Sequence, residues 1–136
     1  MTMTLEREIA DKWCREWVAA HPKDYWLRIA DSADGIKPFD GVLFMHDELR
    51  EGVAVAIEFK VWRLKRKKFD YSTVEPHQMR ELLRFRNGKE RTSMILVYYE
   101  HEKVWKRFPP SAKKLRERIA ARRKVPVDQV PPQEVP

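Results

Sequence analysis

The chain has 136 residues, enough for one domain with a buried core and too few for several. Hydrophobic residues make up 43% and charged residues 36%, with a net charge of +7, which argues against a disordered chain and for a folded domain with a heavily charged surface. A basic balance of this size favours an anionic partner, nucleic acid before a membrane surface.

Leu5, Ile9, Trp13, Trp17 and Ala20 recur at helical spacing and predict an amphipathic helix over residues 4–20, with Thr4 as its N-cap and His21-Pro22 as its end. The only cysteine, Cys14, falls inside it; no intrachain disulfide can form, and a core role is expected for the thiol. Residues 25–30 (YWLRIA) predict a short strand, and 31–37 (DSADGIK) a turn-rich loop. Residues 39–45 and 52–62 predict two strands of a hairpin around a polar connector. The second strand alternates: Val53, Val55, Ile57, Phe59 and Val61 point one way, Ala54, Ala56, Glu58 and Lys60 the other.

A basic loop follows at 63–68, then a helix over 75–87 with Pro76 in its first turn and Gly88 as its stop. Residues 93–100 (SMILVYYE) predict a buried strand, and 104–108 a short partner for it. Ser111 can cap a last helix reaching Lys124, with Ala112, Leu115 and Ile119 as a narrow apolar stripe. The tail VPVDQVPPQEVP holds four prolines and is expected to be disordered or a docking strand, so the domain is drawn at 1–124 and the tail at 125–136. The order helix, three strands, helix, one or two strands, helix implies an α/β fold with helices packed on a sheet. No stretch could span a bilayer and no long apolar segment opens the chain, so an intracellular, cytoplasmic protein is expected.

The chemistry concentrates in KPFDGVLF and GVAVAIEFKV. Glu58 and Lys60, two apart on a strand, share a face otherwise occupied by alanines. A carboxylate and an amine in so hydrophobic a strand are costly unless paired or metal-bound. Asp40 opens the partner strand, where a hairpin could bring it beside Glu58, and a divalent cation would relieve the repulsion between the two. Spacing alone fits a structural ion pair of Lys60 with Glu58 or Asp40 equally well. On the first helix Glu6 falls in the middle of the apolar arc and Glu8 on the solvated side, so Glu6 either meets a partner or sits at a frayed end. Gln78 shares a face with Leu82 and Phe85, where its amide needs hydrogen-bond partners.

Two runs are strongly basic. Residues 60–68 hold six basic side chains and no acidic one; residues 112–124 hold seven against Glu117 alone. Either could be a solvated face; together they favour nucleic acid. The four histidines lack zinc spacing, and no P-loop, dinucleotide fingerprint or Gly-x-Ser-x-Gly is present.

On these residues the chain resembles the PD-(D/E)XK nucleases, and among them the Holliday-junction resolvases of archaeal and RecU type. Leu5-Glu6-Arg7-Glu8-Ile9 resembles their helix-one glutamate motif, Pro38-Phe39-Asp40 the Pro-Asp element, and Glu58-Phe59-Lys60 matches E-x-K. Residues 69–78 (FDYSTVEPHQ) resemble the RecU-type run to a His-Gln pair opening the next helix. The similarity covers residues 4–100, and one residue more than usual separates the proline from the aspartate. It implies a restriction-endonuclease-like fold, a central mixed β-sheet flanked by helices, with an αβββαβ core plus a C-terminal helix. It further implies that Asp40, Glu58 and the backbone carbonyl of Phe59 hold Mg²⁺, for which Mn²⁺ would substitute, with Glu6 completing or supporting the site. Lys60 would activate the attacking water, and Gln78 would position Lys60 or the phosphate. Arg28 and Ser32 would touch the DNA backbone, as would Arg63, Lys65, Arg66, Lys67 and Lys68 of the basic loop, with His77 beside them.

The function implied is a Mg²⁺-dependent endodeoxyribonuclease acting on branched DNA as a homodimer. A PD-(D/E)XK nuclease serving restriction, phage DNA processing or repair is the nearest alternative. A non-catalytic DNA-binding domain that keeps the fold is the alternative of another class. The space between the first strands is short for the projecting stalk of RecU-type enzymes, which touches junction preference more than hydrolysis.

Overall fold

A computed structural model of the chain describes residues 5–30, 37–46, 52–65 and 67–136. Its elements are α1 (Leu5–Ala20), β1 (Tyr25–Arg28), β2 (Gly41–Met45), β3 (Val53–Trp62), α2 (Pro76–Phe85), β4 (Arg91–Tyr99), β5 (Val104–Phe108) and α3 (Ala112–Arg123). The expected N-cap Thr4, and Ser32 and Arg66, lie outside the described residues.

The five strands form one sheet in chain order, β1-β2-β3-β4-β5. Every neighbouring pair is antiparallel except β3 and β4, which run parallel over nine residue pairs from Ala54↔Arg91 to Trp62↔Tyr99. Parallel neighbours need a crossover, and α2 supplies it. The protein is therefore α/β, a mixed sheet flanked by helices.

The period-two alternation of β3 divides the core. Val55, Ile57 and Phe59 meet Leu43, Met45 and Leu96 beneath Ala10, Trp13, Cys14 and Trp17 of α1. Ala54 and Ala56 point to the other face, where Met79 and Leu82 of α2 and Leu115, Ile119 and Ala120 of α3 pack on Val42, Ile95 and Val97. Ala112, expected in the apolar stripe of α3, is exposed, and Ala120 takes that place. Buried Asp24 ties α1 to the sheet: its carboxylate accepts the Trp17 indole N–H at 2.8 Å and the His46 amide at 2.9 Å. That buried acid is satisfied on both oxygens.

Several boundaries differ from expectation for local reasons. β2 starts at Gly41 rather than at residue 39, and its glycine is needed: a Cβ there would stand 2.5 Å from the Trp26 ring and 2.6 Å from the Leu27 carbonyl. α2 ends at Phe85; Gly88, with φ +61°, serves the turn between the bridged residues Asn87 and Arg91 rather than the helix terminus. At its start, Glu75 and Gln78 form a reciprocal capping box. Ser111 caps α3 as expected, accepting the Lys114 amide at 3.1 Å.

The proline-rich tail is the main correction. Residues 125–136 are ordered as two 3-10 turns, Val127–Gln129 and Pro132–Glu134, and Val130 and Val135 are buried in the α2/α3 core. Arg116 donates to the Val130 carbonyl at 2.8 Å and Arg80 to the Glu134 carbonyl at 3.2 Å. The folded unit thus continues past Lys124 to the last residues. Among the described residues no helix is long and apolar enough to cross a membrane.

Candidate active site

The second half of β3 is left unpaired on its β2 side. β2 pairs with β3 only as far as Gly41↔Ile57, while β3 runs on to Trp62. Alternate residues of a strand aim their N–H and C=O groups at the same side, so Phe59 and Val61 face the gap where β2 has ended. Unpaired donors there need acceptors. The Asp40 carboxylate takes the Phe59 N–H through Oδ2 at 2.7 Å, and the Val61 N–H lies near enough to the Glu6 carboxylate to favour its charged form. The Phe59 carbonyl shares that open edge.

A cleft of about 390 Å³ lies here. α1 lines it with Glu6, Arg7 and Asp11, β1 with Trp26 and Arg28, the entry to β2 with Lys37 and Asp40, β3 with Glu58 and Lys60, and α2 with Gln78. Five of the side chains expected to carry chemistry, Glu6, Asp40, Glu58, Lys60 and Gln78, are therefore brought together, with Arg28 beside them. The cleft lies against the second half of β3, on the side of β1 and β2, and no β4 residue lines it. A second cleft, about 620 Å³, lies between α1 and β5, but its lining is mostly apolar, with Trp13, Trp17 and Trp105, the hydroxyl residues Thr92 and Ser93, and Arg107 as its one charge.

The ion pairs in the first cleft are specific. Lys37 Nζ stands 3.0 Å from Asp40 Oδ1, and Lys60 Nζ 3.4 Å from Glu58 Oε2. Glu58 Oε1 is buried and has no hydrogen-bond partner among the described residues. The contrast with Asp24 is direct: both carboxylates are buried, and only Glu58 keeps an oxygen unsatisfied. Burial first, then the charge of Asp40, push the Glu58 carboxyl up to about 8, while Lys60 pulls it down. Burial also raises Glu6, against the attraction of Lys60. Burial and the nearby acids Asp11 and Asp40 drive the Cys14 thiol up to about 12, which leaves it inert as a nucleophile, as expected of a core residue.

Other expected contacts are spread more widely. Arg63 pairs with Glu100 at 3.2 Å, and its carbonyl meets the His101 ring at 2.7 Å. Lys65 lines a shallow pocket with Trp62 and His101, Lys67 accepts the Trp62 indole N–H on its carbonyl, and Lys67 and Lys68 are exposed. Trp62 is buried against Phe69, with ring centroids 5.7 Å apart, as core edge. His77 is half-buried on the first turn of α2 and does not line the cleft. Sequence reasoning missed Arg7, Asp11 and Lys37. Lys37 had a local signal, a cation three residues before Asp40. Arg7 and Asp11 had none, because their place depends on how α1 is rotated over the sheet.

Among the described residues no three His, Cys, Asp or Glu side chains form a ready metal-ligand group. The donor set still fits a hard cation: Asp40, Glu58 and the Phe59 carbonyl are oxygen donors at one strand edge, and the orphaned Glu58 oxygen lacks the partner such an ion would be. A scan against protein-family models finds no match, and a search of the curated proteins finds no relative.

Proposed function

We propose that the protein is a Mg²⁺-dependent endodeoxyribonuclease of the PD-(D/E)XK kind, with a restriction-endonuclease-like fold, acting on branched DNA as a homodimer. The observation that carries this reading is the buried, unpartnered Glu58 oxygen beside Lys60 and Asp40. Asp40, Glu58 and the Phe59 carbonyl would hold Mg²⁺, with Glu6 in support. When bound, the ion supplies a Lewis acid for the phosphate and lowers the pKa of water.

The chain's own side chains account for the rest. Lys60 sets a positive charge where the phosphoryl oxygens gain negative charge, and it orients the water. Its pairing with Glu58 keeps the amine aimed into the cleft. Lys37 and Arg28 add cations along the path of the backbone. Gln78 spends its carbonyl on the capping box with the Glu75 amide, which fixes the side chain at the cleft wall.

The test is Mg²⁺-dependent cleavage of synthetic four-way, flap, nicked and linear duplexes beside Lys60→Ala. Cutting of the four-way substrate that is lost in the variant supports the reading; equal cutting by both proteins removes the site. A second reading has its own support. Glu6, Asp11, Asp40 and Glu58 face Arg7, Arg28, Lys37 and Lys60, and with the Glu58 carboxyl pushed up to about 8 the cleft keeps a positive surplus near neutral pH. That surplus suits a non-catalytic DNA-binding domain, which would bind duplexes equally well with and without Mg²⁺ and cut none.

A further inference from the structure

Across α2 from the cleft lies a second charged site. Arg80 of α2 and Arg118, Arg122 and Arg123 of α3 surround a pocket of about 120 Å³ with Pro76 and Ile119. Gln78 and Arg80 are two residues apart, so they project from opposite sides of a helix only about 10 Å across. Among the described residues one carboxylate pairs directly with these guanidinium groups, while Asp70 acts on Arg118 from further off. Glu134 forms a two-pronged ion pair with Arg123, one prong at 2.6 Å, and its backbone carbonyl accepts from Arg80. Arg118 is turned to the Val74 carbonyl, and among the described residues Arg122 has no acidic partner.

The charge count is uneven, with four cations to Glu134 and the more distant Asp70. Each guanidinium carries five N–H donors, and the contacts here use one of Arg80, one of Arg118 and two of Arg123. The fork that grips a carboxylate also grips a phosphate. Glu134 is held nearby by Val130 and Val135, which are buried on either side of the Pro-Pro segment, so the carboxylate is a tethered occupant at high local concentration. Its side chain is about a quarter exposed and can swing out while the valines stay buried.

We propose that Arg80, Arg118, Arg122 and Arg123 form a binding site for a nucleic-acid backbone phosphate, occupied in the free protein by the chain's own Glu134. This rests on the nucleic-acid part of the proposed function and not on catalysis. A phosphate held there displaces the carboxylate from Arg123.

The test uses the full-length protein in chelator, so that binding is read without cleavage, with a labelled linear duplex titrated at several salt concentrations. Glu134→Gln is expected to tighten binding about threefold and to steepen the salt slope by about one unit. Arg122→Ala is expected to weaken binding in both backgrounds, and Arg123→Ala to abolish the gain from Glu134→Gln. Glu16→Gln, on the exposed part of α1, controls for net charge alone. No change in Glu134→Gln, or an equal gain in Glu16→Gln, overturns the proposal. Inorganic phosphate that binds Glu134→Gln at this site while DNA affinity stays at the wild-type value also overturns it, since the ligand is then the free ion. Failure of the nuclease reading shows separately, as absent cleavage in Mg²⁺ with this binding pattern intact.

Discussion

Glu58 is the residue on which the chemistry turns. Its carboxyl is ordinary in an unfolded chain, near 4.5, and reaches about 8 in the fold through burial and the Asp40 charge. The folded state then holds the proton more tightly. The contribution to stability is complete below about 4.5 and is lost as pH rises through about 8. The metal-free protein is therefore expected to lose melting temperature across that window, and Glu58→Gln to flatten the profile and melt higher at its alkaline end. Mg²⁺ should restore the wild type there and do little for the variant, because cation binding must expel the proton. Thermal melts across pH, with chelator or Mg²⁺, check this; a flat wild-type profile removes the buried acid from the account. At Lys60, alanine is expected to lower cleavage on the order of a hundredfold. DNA affinity should be retained, as read by single-turnover kinetics beside a binding titration.

At the scale of the elements, the site exists because β3 outruns β2. The orphan Phe59 amide at that edge takes the carboxylate of Asp40, and Glu6 stands near the Val61 amide, so the N-terminus of α1 and the entry to β2 share one cleft. Gly41 allows the approach: Trp26 lies against it where a Cβ would collide with ring and backbone. Gly41→Ala is expected to cost about 1–3 kcal/mol, the usual range for overpacking, with loss of cleavage beyond the loss of folded protein. Urea unfolding and the activity of the folded fraction separate the two effects. The alternation of β3 and the stripe of α1 were legible because period two and period 3.6 each sort side chains without outside help. The end of α2 was less so, since a glycine after a helix can serve the helix or the next turn, and here the Asn87–Arg91 bridge claimed it.

Across the whole molecule, the tail closes the α2/α3 core. Val125, Val130 and Val135, five residues apart, all pack on it, and the prolines between them reduce the entropy lost on docking. Val130→Ala is expected to cost about 2 kcal/mol, as for a buried aliphatic truncation. An unchanged urea midpoint would mean that the tail does not belong to the cooperative unit.

The sequence by itself determined the α/β order of elements, the two faces of β3, the location of Glu58 and Lys60 on the alanine face, and the burial of Cys14. These follow from local spacing and from the cost of unpaired polar groups in apolar strands. Only the tertiary structure decided that Glu6, Asp40 and Gln78 line one cleft with Arg7, Asp11 and Lys37, and that the proline-rich tail is packed with Glu134 among arginines. Those outcomes depend on where β2 stops pairing, how α1 is turned and which surface the tail finds. Each is a property of partners distant in the chain, which no local pattern encodes.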